Sequence, residues 1–198
     1  TERDTFIDTV EYYFPGELAQ LIWEKQLCDS NILSGRKVSI IKVWLWEDRC
    51  GLDTKLLYCA SRDGWNASDF HGKCDNQGPT LTIIKCKEGY IFGGFSDTSW
   101  TNDGAYKESP KAFIFAIKCH SSLPPTKMRQ KQKTVENSVY HKSDFGPCFG
   151  DDITLYDMPN GYTHIGNYYK LPPGQRGKTF LTGHKNFRAM ELEVFSVQ

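Results

Sequence analysis

Short runs of aromatic and β-branched residues, broken by turn-forming clusters, fill most of this chain, and a helical period appears only near its N-terminus. Phe6, Val10 and Phe14 recur at helical spacing within Thr5–Phe14, Ile7 and Tyr13 widen that face, and Pro15 marks its end. Leu18, Leu21, Ile22 and Trp23 give residues 17–27 a similar face, so residues 1–29 read as a helical N-terminal arm. Residues 34–46 fit both periods: Val38, Ile41 and Leu45 suit a helix, whereas the β-branched content and the pair Val43/Leu45 suit a strand.

Further along, residues 55–60, 80–86, 90–95, 111–118, 153–156 and 190–197 each read as a strand. The separators carry turn chemistry: Arg62-Asp63-Gly64, Asp75-Asn76-Gln77-Gly78-Pro79, Lys87-Glu88-Gly89, Asn102-Asp103-Gly104 and Pro172-Pro173-Gly174. Residues 80–86 and 90–95, joined by three residues ending in Gly, predict a β-hairpin. Many strands with few helices between them predict a mainly β fold, an antiparallel two-sheet sandwich with short flanking helices. Residues 120–133 join Ser121-Ser122, Pro124-Pro125 and a basic, Gln-rich run, and predict a flexible insertion.

Composition places the chain among globular domains: 198 residues, 24 basic against 24 acidic side chains and 14% aromatic residues. One core is expected at this length. The longest apolar stretch, 38–46, is interrupted by Ser39 and Lys42 and is far shorter than the ~20 residues that span a bilayer. The acidic start is unlike a secretory signal, which argues for the cytoplasm. The zero net charge is unevenly spread. Residues 1–30 carry seven acids and two bases, and residues 118–142 carry six bases against Glu136. No aromatic side chain interleaves the centre of the basic run, so a nucleic-acid stacking surface is not expected.

Seven cysteines lie at scattered spacings without a C-x-x-C pair, which argues against a disulfide scaffold or a zinc site and for buried thiols in a reducing compartment. The histidines are far apart, Gly146-Pro147-Cys148-Phe149-Gly150 lacks the lysine of a phosphate loop, and no cofactor is called for. The sharpest catalytic idea is a Cys74 nucleophile with His71 as base and Asp69 or Asp75 orienting it. A Ser61 or Ser68 triad with His71 and Asp63 is weaker. Asp151, Asp152 and Asp157 could supply calcium ligands, but they lack the alternating Asp pattern and Gly of an EF-hand. Phe92 and Phe95 belong on opposite strand faces. Trp65 and Trp100, in turn-rich contexts, are the exposed candidates for a glycan or small-ligand surface.

Taken in order, L-L-Y-C-A-S-R-D-G-W (56–65), Phe70-His71-x-x-Cys74-Asp75, G-P-T-L-T-I-I-K (78–85), G-Y-I-F-G-G-F (89–95), Trp100, K-A-F-I-F-A-I (111–117) and E-L-E-V-F (191–195) resemble a TLDc domain over residues 30–198. The resemblance implies a two-sheet sandwich and a helix over residues 34–46. It implies turn and packing roles for Asp63, Gly64, Gly93 and Gly94. It also implies a non-catalytic module linked to oxidative-stress protection and to subunits of the vacuolar proton pump. Glu191 and Glu193, with Trp65 and Trp100, are the residues singled out here as candidate partner contacts. Two features depart from the family: the glycine-rich run before residue 153 is reduced to Phe149-Gly150-Asp151-Asp152, and the 120–133 segment lengthens a connection.

Overall fold

A computed structural model describes residues 30–198, so the expected N-terminal arm and Cys28 lie outside the described residues. The chain first forms α1 (Arg36–Glu47), β1 (Thr54–Cys59), α2 (Ala60–Asp63) and α3 (Ala67–Cys74). Ten strands follow: β2 (Thr80–Cys86), β3 (Ile91–Ser96), β4 (Asp103–Lys107), β5 (Phe113–Lys118), β6 (Thr126–Arg129), β7 (Val139–Lys142), β8 (Cys148–Phe149), β9 (Ile153–Asp157), β10 (Asn160–Thr163) and β11 (Asn186–Val197). A 3-10 turn, Gln132–Asn137, precedes β7.

The main sheet runs β1–β11–β2–β3–β5–β6, antiparallel throughout. β11 is long enough to belong to both layers. Its C-terminal half pairs with β1, and Asn186–Arg188 pair with β10, from which β9 and β8 continue the second layer. β4 and β7 form a small separate sheet.

Both faces of the main sheet are covered, which is why its central strands are buried almost without interruption. Phe195, Leu81, Phe95 and Phe113 stand in register across four strands and meet Val38, Ile41 and Leu45 of α1. Leu192, Ile84, Phe92 and Ala116 stand in register on the other face and meet Phe149, Ile153 and Leu155 of the second layer. Phe92 and Phe95 therefore point into opposite cores. The ambiguity over residues 34–46 resolves as a helix because α1 lays one apolar stripe on this sheet. Lys42, fully buried on it, donates from Nζ to Leu52 O and, at 3.1 Å, to Thr54 Oγ1.

Several local expectations need correction. The segment 120–133, expected to be a flexible insertion, carries β6, the edge strand paired to β5. Met128 is buried, and Lys127 packs its ammonium 4.6 Å from the Phe113 ring and 2.7 Å from Asp48. Polar composition concealed a strand whose long cationic stems cover apolar surface. The Asn102–Gly104 turn signal instead opens β4, with Gly104 at φ 74° where the pairing to β7 shifts register. Ala60 begins α2 rather than ending β1, and β11 starts four residues earlier than its apolar run suggests.

Candidate functional site

Asn66 opens α3 by donating its backbone N–H to Asp69 Oδ2 at 2.9 Å. One turn apart, Phe70 and Cys74 fall on the same helix face and are fully buried in the core between the layers. His71 lies beside that face, only 9% exposed, and its edge meets the Phe70 ring at 5.0 Å between centroids. His71 Nδ1 is 2.8 Å from Asp75 Oδ1, and Nε2 is 3.1 Å from both Lys142 O and Phe145 O. Burial pushes the Cys74 thiol well above the ordinary cysteine range, and the Asp75 and Asp63 charges push it further. The F-H-x-x-C-D motif therefore gathers into one place, but its thiol is apolar in setting and its imidazole is engaged with a carboxylate and two carbonyls.

The serine triad does not assemble. Asp63 Oδ2 accepts the Cys59 N–H at 2.9 Å and pairs with Arg62 at 2.7 Å, which holds its carboxyl below the usual range. Ser61 and Ser68 are exposed on α2 and α3, and the Ser61 N–H donates to Glu191 Oε1. Gly64 closes the α2–α3 corner at φ 112°, with Tyr58 Oη donating to its carbonyl at 2.6 Å. A Cβ there would meet the Asp69 carboxylate at 2.3 Å.

Among the residues singled out for partner or ligand contact, Trp100 is buried, with Nε1 donating to Thr80 Oγ1 at 2.8 Å and its ring against Phe70, His141 and Phe149. Its turn-rich setting folds inward because Asn76 N–H bonds to Trp100 O. Trp65 is half-buried against the same core. Glu193 is also buried. It accepts the Ser30 hydroxyl at 2.7 Å and the Asn31 N–H at 2.6 Å, fastening the start of the described chain to β11, and burial raises its carboxyl. Glu191 remains partly exposed.

Gly93 and Gly94 sit mid-strand, facing opposite cores. A Cβ at Gly93 would stand 2.0 Å from Thr82 O, and one at Gly94 would stand 2.6 Å from the Phe149 ring. Close packing, without positive φ, selects glycine at both.

The three aspartates do not converge. Asp152, fully buried, accepts the N–H groups of Gly166 (2.6 Å), Tyr168 (2.7 Å) and Tyr169 (3.3 Å); burial outweighs these donors and pushes it up to about 6. Asp151 accepts from Tyr162 Oη and Asn167 Nδ2, and the exposed Asp157 accepts from Asn160 Nδ2. No cluster of three or more His, Cys, Asp or Glu side chains able to hold a metal occurs among the described residues. Asp152, named above as a possible calcium ligand, instead organises the 166–169 backbone.

Among the described cysteines, Cys59, Cys74, Cys86, Cys119 and Cys148 are buried and free, and Cys50 is half-buried. Desolvation raises Cys50 and Cys86 to about 11 and Cys148 to about 12. An open groove of about 620 Å³ between α1 and β6 is lined by Trp44, Lys127, Arg129, Leu171 and Pro172, but Lys127 and Arg129 there pair with Asp48. No helix among the described residues is long and apolar enough to cross a membrane.

This architecture coincides with a family model, that of the TLDc domain, which matches residues 28–198. The chain belongs to the TLDc family. The TLDc motifs map onto the two-layer packing just described: L-L-Y-C on β1, F-H-x-x-C-D on α3, G-G on β3 and E-L-E-V-F on β11. Among curated relatives, the zebrafish (Danio rerio) MTOR-associated protein MEAK7 is 32% identical over 63 residues, and the Xenopus laevis and Mus musculus proteins of that name are 33% and 30% identical over the same length. Those matches take in 32% of this chain and 14% of each relative.

Proposed function

We propose that this chain is a non-catalytic interaction module that recognises a protein partner through its outer surface. The observation that carries the reading is the fate of the one motif with nucleophile and base side by side. Cys74 is sealed in the core and held as a thiol, while both ring nitrogens of His71 are engaged within the fold. A thiol in that state is a poor nucleophile or scavenger. Support also comes from the relatives, which are named MTOR-associated, a designation of association with another protein.

The finer reading is that the partner is a subunit of the vacuolar proton pump, met in the cytoplasm, with oxidative-stress protection as the outcome. It draws on the TLDc assignment. Glu191 and Trp65, both partly exposed near the α2 corner, are the proposed contacts. The test is co-sedimentation of the purified full chain with the peripheral sector of the pump. Retention that weakens in Glu191→Lys and Trp65→Ala, both still folded, and is unchanged in Cys74→Ser supports the reading. Absence of retention removes the pump as partner. Loss of a measured turnover in Cys74→Ser overturns the non-catalytic assignment.

A further inference from the structure

We propose that the outer edge of β6 takes up an extended, acidic segment of a partner protein as an added strand of the main sheet. Residues 168–170 begin to cover this edge and then stop. Gln130 and Tyr169 form an antiparallel bridge, flanked by bonds from Lys131 N–H to Tyr168 O at 2.8 Å and from Lys170 N–H to Arg129 O at 2.9 Å. In an antiparallel ladder the backbone groups that face one neighbour recur at every second residue. The Arg129 carbonyl faces outward, so the Lys127 peptide groups do too, while those of Met128 face β5. The next bond of the series would run from the N–H of residue 172 to Lys127 O. Residue 172 is a proline, which has no N–H, and Pro173 follows it. No backbone bond from that side reaches the Lys127 N–H or C=O among the described residues.

What stays open there is the groove of about 620 Å³, bounded by β6, residues 171–173 and Trp44 of α1. Two long acid-free stretches meet at it. Residues 109–135 hold six Lys or Arg and residues 158–190 hold five, with no Asp or Glu in either. The bonds around Gln130 and Tyr169, and that from His120 N–H to Leu181 O at 2.8 Å, bring the two stretches together. Opposite them α1 and its C-cap supply Asp48, which pairs with Lys127 at 2.7 Å and Arg129 at 2.6 Å, and Glu47, 3.4 Å from Lys127. These two acids leave most of the cations unmatched. Lys133, Lys170, Arg176 and Lys178 are exposed and form no salt bridge among the described residues. Arg129 is itself 55% exposed, with guanidinium donors to spare beyond Asp48.

The open backbone selects the class of partner. A lipid headgroup or a nucleic-acid phosphate matches the cations, but a second main chain also offers an N–H to Lys127 O and a C=O to its N–H at strand spacing. Acidic side chains on such a segment meet Arg129 and Lys170, and apolar ones meet Trp44, Leu171 and Pro172. β6 and β1 lie at opposite ends of the main sheet, so this site is separate from the contacts proposed near the α2 corner. It rests on the reading of the chain as an interaction module and not on the pump as its partner.

The test titrates the full chain into a fluorescent probe peptide in which Glu and Val alternate. Saturable binding is expected, weakened at least about tenfold by Lys170→Glu, and equally by N-methylating alternate peptide amides, which keeps every charge and removes backbone donors. On binding, the Lys127 amide is expected to gain at least about tenfold in protection against hydrogen exchange, while Ile83 in β2 is unchanged. Pro172→Ala restores the missing N–H, allows residue 172 to close over Lys127 O, and is expected to weaken the probe as well. Absence of probe binding, an N-methylated probe that binds as well as its parent, or a Lys127 amide indifferent to the probe overturns the proposal. So does binding of anionic phospholipid vesicles or single-stranded RNA in place of the peptide. Should Lys170→Glu fail to fold, the N-methylated probe and the exchange measurement on the unaltered chain decide it. A negative result here leaves the co-sedimentation test of Glu191→Lys and Trp65→Ala standing.

Discussion

The Phe149 ring occupies the space that a side chain on Gly94 would fill, with ring atoms 2.6 to 2.8 Å from where a Cβ would stand. The second layer closes on the main sheet at this point, where Phe149 also meets Trp100 edge-on at 5.7 Å between centroids. Gly94→Val is therefore expected to destabilise the fold by about 2–4 kcal/mol, read as a lowered midpoint in denaturant. Unchanged midpoints would show that Phe149 has room to retreat.

The Trp100 indole fills the core beside Phe70 and spends its N–H on Thr80. Trp100→Phe removes that bond, leaves the buried Thr80 hydroxyl without its donor and opens a void. A loss of about 2–3 kcal/mol is expected, and thermal melting would measure it. A Trp100 quenched by added iodide as readily as a free indole would contradict its burial.

Asp152 sets a pH dependence whose sign follows from its environment. Burial raises it from 3.8 to about 6 in the folded state, so its contribution to stability is full below 3.8 and is lost as pH rises through about 6. The whole step is worth about 3 kcal/mol. Glu193, raised by burial in the same way, adds with the same sign. Asp63, lowered chiefly by its bond to Arg62, acts oppositely and only below 3.8. Denaturant midpoints from pH 4 to 7 should carry a falling component that Asp152→Asn removes. A slope identical in that variant would refute the assignment.

Thiol accessibility should follow burial. With its thiol near 11, half-buried Cys50 is expected to alkylate on the order of a hundredfold slower than a free cysteine at neutral pH. Cys74 and Cys148 are expected to react only on unfolding. Mass spectrometry after timed alkylation orders them, and rapid labelling of native Cys74 would reopen the thiol chemistry set aside here.

The layered architecture was legible because each central strand carries apolar residues on both faces, and the sheet is covered on both. Phe92 and Phe95, three apart, had to point to different cores. The packing role of Gly93 and Gly94 came with the TLDc resemblance rather than from any local pattern. The α3 helix was not legible: eight residues offer only Phe70 and Cys74 as an apolar pair, too little periodicity to outweigh the turn signals around them. β6 was hidden by its charges, which pair with Asp48 across a gap of sequence that no local pattern spans. The buried state of Asp152 and Glu193 had no signal either, since their donors are mostly backbone N–H groups from distant segments. The setting of the His71 and Cys74 motif was not legible, because the His71 ring is held by two carbonyls of residues 142 and 145, which carry no side-chain signature.

β11 is the last strand of the domain, and every strand it joins lies upstream. Its Ser196 hydroxyl reaches Lys55 O across 141 residues, and its first residues seat β10. β1 and β2 share no hydrogen bonds with each other, so they are joined only when β11 folds in between them. Losing β11 would strip a partner from β1, β2 and β10 at once and bare the edges of all three, making damage to this one strand a route to aggregation rather than to a smaller working fold.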